Sequence, residues 1–354
     1  MPLETVELLR TLTSAFGPSG FEEEARDVIK AIVEPLVDEL RVDTLGNLIA
    51  TKRGRGDQTL MLDAHIDEIG FLVSYVEEGG FLRFTTLGGW DARIVPSQAM
   101  TIRADDGTFV KGMIGTAPPH ILRPEDRDKP FKLDDLFVDI GASTADEVAA
   151  LGIRTGSPAV IAYPFEQLNE RVVMAKAIDD RAGCGVLIRV LEALAETELD
   201  ITLVANFAVQ EEVGLRGAGT AAYQIDPDLA LAIEGSIAAD VPGIPPARQP
   251  MRQGRGPAIS VLDSTMIPTA RMVNALTSIA NDAGIPWQYK VPAPGGTDAG
   301  AIHRNRAGVL SGVVSIPCRY IHSPYAVMRL EDFENTARLV TEFVRRGPSV
   351  LASS

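Results

Sequence analysis

Val172-Val-Met-Ala-Lys-Ala-Ile-Asp-Asp-Arg-Ala-Gly-Cys-Gly185 is the stretch on which the fold turns. The apolar run Val172–Ala177 reads as a strand, and small residues from Gly183 open an amphipathic helix to Glu196. Between them stand two adjacent acids, Asp179 and Asp180. A buried carboxylate is costly unless it is paired, hydrogen-bonded or metal-bound, so a doublet at the tip of a core strand calls for positive charge nearby. Downstream the strand-then-helix pattern recurs. Ile201–Val209 reads as a strand, Ala218–Gln224 as a helix and Leu229–Ile233 as a strand. Pro257–Leu262 (strand), Thr269–Ala283 (helix), Val309–Ile316 (strand) and Glu331–Arg345 (helix) follow. This alternation predicts an α/β sheet covered by helices.

The N-terminal segment fits the same sheet. Leu3, Val6, Leu8, Leu9 and Leu12 have helical spacing over 3–16, and Gly17-Pro18 stops that helix. Ser19-Gly-Phe-Glu22 reads as a capping box opening a second helix to about Val37. A hairpin is expected over 39–53, and Thr59–Leu62 is a buried strand running into Asp63-Ala-His65-Ile-Asp67. From 70 to 165 short β runs alternate with Gly and Asp turns, and helical signal is confined to 143–151. That texture is a small β unit inserted in an α/β domain that resumes afterwards.

Composition narrows the partners. Lys+Arg is 33 against Asp+Glu 48, a formal net charge of −15. Nucleic acids and anionic membranes are bound through basic patches, so neither is expected as a partner, and divalent cations or amino-bearing ligands suit the charge better. The start lacks a basic region followed by an apolar one, and no run is long enough for a membrane helix. Cys184 and Cys318 are the only cysteines. They lie far apart without CxxC spacing, so no disulfide framework is expected and a cytoplasmic location is.

The chemistry gathers at the strand ends. His65, Asp179, Glu211 with Glu212, Glu234 and, near the last strand, His322 each follow a predicted core strand. In open α/β sheets the carboxyl ends of strands build the ligand crevice. Two imidazoles with several carboxylates suit zinc, cobalt or manganese. Asp179, Glu212 and Glu234 as ligands carry three negative charges and a hydroxide a fourth, which two divalent ions neutralise and one would not. A dimetal site with ions roughly 3.5–4 Å apart activates water and polarises a carbonyl. It needs a bridging carboxylate and a free acid as general base, and the doublets 179–180 and 211–212 could supply both.

The chain resembles the M42 metallo-aminopeptidases, the glutamyl and TET aminopeptidase-like group within the dizinc exopeptidase fold. The matching stretches are Pro18-Ser-Gly-Phe-Glu22, Asp43-Thr-Leu-Gly-Asn47, His65-Ile-Asp-Glu-Ile-Gly70, Gly88-Gly-Trp-Asp91, Lys176-Ala-Ile-Asp-Asp-Arg181, Gln210-Glu-Glu-Val-Gly214, Gly295-Gly-Thr-Asp298 and Arg319-Tyr-Ile-His-Ser-Pro324. The resemblance implies an α/β/α sandwich, residues 1–69 and 166–354, with an inserted β-barrel-like dimerisation domain, 70–165. It implies two divalent ions per subunit, zinc or cobalt with manganese also compatible, and Asp179 bridging them. His65 and Glu234 would complete one ion's ligands, and Glu212 and His322 the other's. Glu211 would be the general base, taking a proton from the bridging water and passing it to the leaving amine. Asp67 would orient His65, and Asp180 would hold the turn across an unusual peptide geometry. Short peptides are the implied substrates, and the implied assembly is dimers built into a hollow tetrahedral dodecamer. The family commonly has Asp where this chain has Glu234, which shifts a carboxylate near the place of a substrate's free amine.

Several residues carry weaker expectations. Thr297 and Asp298 either line the substrate pocket or cap a helix. Arg319 either touches substrate or neutralises acids, and Arg181 neutralises acids. Asp63 reads as a strand-end acid and Cys184 as packing. His303 is given a structural role at a helix start, and His120 is non-catalytic in the β insertion. The competing functions are a dimetal N-acyl-amino-acid deacylase or carboxypeptidase-like hydrolase on the same fold, a metal-free glycosidase, and a catalytically silent assembly protein. No GxSxG or Walker A motif supports a serine hydrolase or an NTPase.

Overall fold

The computed structural model describes residues 2–121, 123, 129–291 and 295–352. Four strands form the centre of its main sheet: β3 (Thr59–His65), β12 (Thr202–Ala208), β13 (Leu229–Ile237) and β16 (Leu310–Arg319). They run parallel in the order β12-β3-β13-β16. The hairpin β1 (Glu39–Val42) and β2 (Leu48–Lys52) extends the sheet antiparallel beyond β12. On the other side lie β17 (Ala326–Arg329), β11 (Val172–Ala175) and β10 (Glu166–Asn169), with β14 (Ala258–Ser260) and β15 (Gln288–Lys290) branching from β16.

Strand alternation sorts the core into two layers, because successive side chains point to opposite faces. Leu60 and Leu62, with Leu203, Phe207, Leu229 and Leu231, face one layer. The helices buried there are α1 (Thr5–Ser14), α2 (Glu23–Val33), α4 (Ile178–Leu194), α6 (Ala270–Asp282) and α8 (Leu330–Ala352). Met61, Val204 and Ala230 face α5 (Arg216–Ile225) and Ile302 of α7 (Ala299–Ile302). The result is the expected α/β/α sandwich. With both faces covered, the central strands are near-continuous apolar runs, and for that reason they were readable.

The remaining strands close into a barrel in the order β4-β5-β8-β7-β6-β9. They are β4 (Gly70–Val76), β5 (Leu82–Leu87), β6 (Ala99–Arg103), β7 (Phe109–Gly115), β8 (Phe137–Asp139) and β9 (Pro158–Ile161), with α3 (Ala145–Ala150) the one α-helix in this stretch among the described residues. Phe71, Leu82, Ile102, Ile114 and Val138 fill it. Trp90 stacks on Phe71 at 4.7 Å and donates its indole N–H to the Gly70 carbonyl at 3.1 Å.

Three local expectations are corrected. Val172–Ala175 is not a core parallel strand but an antiparallel one between β17 and β10, and α4 carries the acids back toward the sheet centre. The predicted capping box does not form. Ser19 Oγ donates instead to Asp67 Oδ2 at 2.6 Å, and Glu22 accepts from the Gly20 and Gln210 N–H groups at 2.7 and 3.1 Å. These contacts tie the start of α2 to the loops after β3 and β12. Finally, α4 begins at Ile178, five residues before the expected Gly183. Asp179 and Asp180 leave helical geometry there, and the peptide bond between them is cis.

Candidate metal centre

The acids and imidazoles converge over the parallel strands. His65 ends β3, Glu211 and Glu212 follow β12, Asp179 lies at the start of α4 and His322 follows β16. Glu234 is not at the end of its strand: β13 continues to Ile237, with Glu234 opposite Ser315 of β16. His65 Nε2 lies 3.4 Å from Asp179 Oδ1, 3.8 Å from Glu234 Oε2 and 3.9 Å from Glu211 Oε2. His322 Nε2 lies 3.6 Å from both Asp179 Oδ2 and Glu212 Oε2.

These separations are too long for hydrogen bonds. Two ligands each about 2.1 Å from one tetrahedral ion stand about 3.4 Å apart, so the spacing fits donors sharing a cation. Three overlapping groups meet that condition: His65–Asp179–Glu234, Asp179–Glu212–His322 and His65–Glu211–Glu212. Asp179 turns one oxygen to each imidazole, the disposition a bridging carboxylate needs. The electrostatics agree. Burial, then the repulsion of neighbouring acids, pushes Glu212 well above the usual carboxylate range and Glu234 up to about 7. Burial raises Glu211 likewise, against the pull of His65. Burial alone would lower His65, but Glu211, Asp179 and Asp67 hold it well above its ordinary value. Four carboxylates crowded around two imidazoles are the donor set for two divalent cations.

The supports are backbone groups. His65 Nδ1 lies 3.0 Å from the Asp67 carbonyl oxygen and 3.5 Å from its Oδ1. The Asp67 carboxylate instead accepts from Ser19 Oγ and from the N–H groups of Glu211 (2.9 Å) and Glu212 (3.2 Å). Asp67 thus orients His65 chiefly through its main chain and uses its side chain to fix the loop bearing the glutamates. His322 Nδ1 lies 3.0 Å from the Gly89 carbonyl. In each histidine Nδ1 therefore carries the proton and Nε2 faces the carboxylates as a free donor atom. Asp180 Oδ1 accepts from Gly183 N at 3.0 Å and Gly235 N at 2.7 Å, pinning the α4 turn to β13. A Cβ at Gly183 would fall 2.3 Å from Asp180 Oδ2, so that approach requires glycine.

The Gly88-Gly-Trp-Asp91 stretch now has a physical reading. Trp90 anchors it in the barrel, and Gly88, at φ +81°, passes the site so closely that a Cβ would meet Ile69 Cγ2 at 2.6 Å and Glu212 Oε2 at 3.2 Å. Gly88→Ala is expected to cost about 1–3 kcal/mol of stability and to lower kcat/KM about 10–100-fold, the range for disturbed ligand supports. Thermal unfolding and steady-state kinetics check this, and wild-type values in both would mean that the loop yields freely.

The remaining predicted residues fall into place unevenly. Asp298 donates its N–H to Glu234 Oε1 at 3.3 Å, and neither of its buried carboxylate oxygens has a hydrogen bond. It gives no side-chain cap to α7. Thr297 Oγ1 donates to Asp263 Oδ2 at 3.0 Å. Arg319 is engaged by Asp240, its Nε and Nη2 donating at 2.8 and 2.7 Å, which accounts for it as an ion pair. Arg181 serves carbonyls more than acids: it donates to Leu12, Ala15 and Ile66 oxygens, with Glu68 at 3.8 Å. His303 sits at the end of α7, not its start, with Nδ1 2.9 Å from the Ala299 carbonyl. His120 is exposed beside the barrel. Cys184 is fully buried, its Sγ 3.2 Å from the His65 carbonyl. Asp63 is not a strand-end acid but a buried one inside β3, accepting from Asn206 Nδ2 at 2.6 Å. Sequence reasoning missed Lys290. It is 6% exposed, and its charge acts on Glu234, Asp263 and Asp179. A lysine ending a three-residue strand gives no periodic signal.

A sheet crevice holding two imidazoles about a shared carboxylate, within an α/β/α sandwich, defines a two-metal hydrolase. The chain belongs to the M42 glutamyl aminopeptidase family, a family of dimetal peptidases whose model matches residues 46–339. It is similar to the TET aminopeptidase of a marine sediment archaeon of the Thaumarchaeota, with 41% identity and a TM-score of 0.96 over 99% of both chains. It is 34% identical to the lysyl aminopeptidase of Pyrococcus furiosus over 94% of each chain. The TET1 peptidase of Pyrococcus horikoshii, described as assembling into a tetrahedron or a large octahedral shell, matches with 32% identity and a TM-score of 0.86, covering 96% of this chain and 99% of that one.

Proposed function

We propose that the chain is a two-metal aminopeptidase that releases amino-terminal residues from short peptides, with Glu211 as its general base. The observation that carries this is Asp179, with Oδ1 toward His65 and Oδ2 toward His322. His65 and Glu234 would hold one ion, Glu212 and His322 the other, and Asp179 would span both. Divalent ions bound there supply Lewis acidity, lowering the pKa of the attacking water and polarising the scissile carbonyl. Glu211, free of either ligand group in this assignment, accepts the water's proton and delivers it to the departing amine. Asp67 keeps Glu211 in reach by holding its backbone N–H. Glu234 approaches where the substrate's ammonium enters. Zinc or cobalt suits the imidazole–carboxylate set, and manganese is compatible.

Assembly and location belong to the same proposal. Residues 70–165 act as a dimerisation unit, and dimers build a hollow tetrahedral dodecamer that admits unfolded peptides. Support comes from the closed barrel and the shell-forming Pyrococcus horikoshii relative. The net charge of −15 suits neither nucleic acid nor an anionic membrane as partner, and among the described residues no helix is long and apolar enough to cross a membrane. A cytoplasmic setting accords with two buried, unbonded cysteines.

The test is metal removal combined with blocked substrates. Chelation is expected to abolish hydrolysis of amino-acid p-nitroanilides, and added zinc, cobalt or manganese to restore it. N-acetylated counterparts should remain intact. Activity that survives chelation, or confined to acylated substrates, would overturn the reading.

A further inference from the structure

We propose that Lys290 selects substrates whose amino-terminal residue is acidic, its ammonium binding the glutamyl or aspartyl side chain beside the scissile bond; this rests on the aminopeptidase reading above. Lys290 ends β15, in register with Ser260 of β14, which pairs with β16. Its side chain is almost wholly buried on the wall of the site that carries Glu234. Among the described residues its ammonium makes no hydrogen bond and has no ion-pair partner within 4 Å.

The chain's other deeply buried cations are satisfied. Lys176 donates to Glu68 at 2.7 Å and to the Ala15 carbonyl at 3.1 Å, and Arg181 to three carbonyls. The acids nearest Lys290 are already committed. Asp263 Oδ1 accepts from Thr265 N, Thr265 Oγ1 and Met266 N, and its Oδ2 from Thr297 Oγ1. Glu234 Oε1 accepts from Asp298 N, and Oε2 faces His65. A buried ammonium is costly without an acceptor. The acceptor missing from the resting protein must therefore arrive with the substrate, and it must be anionic. A substrate's α-ammonium is repelled from Lys290 and drawn to Glu234, which leaves the first side chain as the group that meets the lysine. The same charge rejects basic first residues, since specificity is set as much by repulsion as by attraction.

The experiment uses the metal-loaded protein with Glu-, Asp-, Leu- and Lys-p-nitroanilides. The acidic substrates should exceed Leu by about tenfold or more in kcat/KM, as expected for a desolvated charge pair, and Lys should be refused. In Lys290→Met the loss for Glu-p-nitroanilide should exceed that for Leu-p-nitroanilide by about tenfold or more, mainly through KM. Lys290→Arg should recover part of the acidic preference, and Lys290→Glu should turn it toward Lys. A wild-type preference for Leu or Lys overturns the assignment. So does an equal loss on all substrates in Lys290→Met, which would mark Lys290 as a counter-charge for Glu234. Cleavage of Leu- but not Glu-p-nitroanilide refutes the Lys290 role alone, whereas no cleavage of any free-amine substrate refutes the aminopeptidase reading with it.

Discussion

Glu211→Gln is expected to reduce kcat by about 10²–10⁴-fold, the contribution of a positioned general base, while both ions stay bound and KM changes little. Gln is the same size and cannot take up a proton at neutral pH. The loop should keep its shape, because the Glu211 N–H is fixed by Asp67 Oδ1 at 2.9 Å whatever the side chain. The measurement has two arms because the geometry allows two roles. Glu211 also groups with His65 and Glu212 as a possible ligand set. If Glu211 were a ligand, the substitution would cost an ion, and metal analysis would find about one per chain. Two ions with a collapsed kcat support the base, and two ions with near-normal turnover sink it.

Asp179→Ala should empty the centre. Asp179 is the one residue common to the His65–Glu234 pair and the Glu212–His322 pair, so its removal takes a ligand from both ions and leaves Glu211, Glu212 and Glu234 to repel one another. Activity should fall to background, and metal content should drop from two ions toward none, where His322→Ala should lose only one. Stability supplies a second readout. A ligand at 100 times its Kd stabilises the folded state by about 2.7 kcal/mol, so added zinc should raise the unfolding temperature of the parent and not of the variant. An Asp179→Ala protein that keeps two ions would remove Asp179 from the bridge.

The sandwich was legible because its strands are buried on both faces, which writes long apolar runs such as Leu203–Val209 into the sequence. The strands that escaped notice carry no such mark. Glu166–Asn169 is exposed throughout, and Gln288–Lys290 and Ala326–Arg329 are too short for a period to register. At the site the residue types were readable, since an acid or imidazole closing an apolar run stands out. Their supports were not. The Asp67 and Gly89 carbonyls that aim the two histidines belong to the main chain, which no side-chain pattern reports. The Asp63–Asn206 pair joins neighbouring strands 143 residues apart. The capping-box reading failed for a related reason: Ser19 had a better acceptor in Asp67 than the helix could offer, and a local motif cannot announce a distant competitor.

The Gly89 carbonyl also bears on how freely the barrel could be separated from the rest. His322 is reached by a loop after β16, yet its ring takes its orientation from the connection between β5 and β6, 233 residues earlier in the chain. The barrel is consequently no detachable accessory. Excising it, or grafting in a barrel from elsewhere, would leave one imidazole without the acceptor that sets its tautomer. An engineered exchange of this segment has to carry Gly88 and Gly89 across with Trp90, because the anchor in the barrel and the reach into the crevice are parts of one short loop.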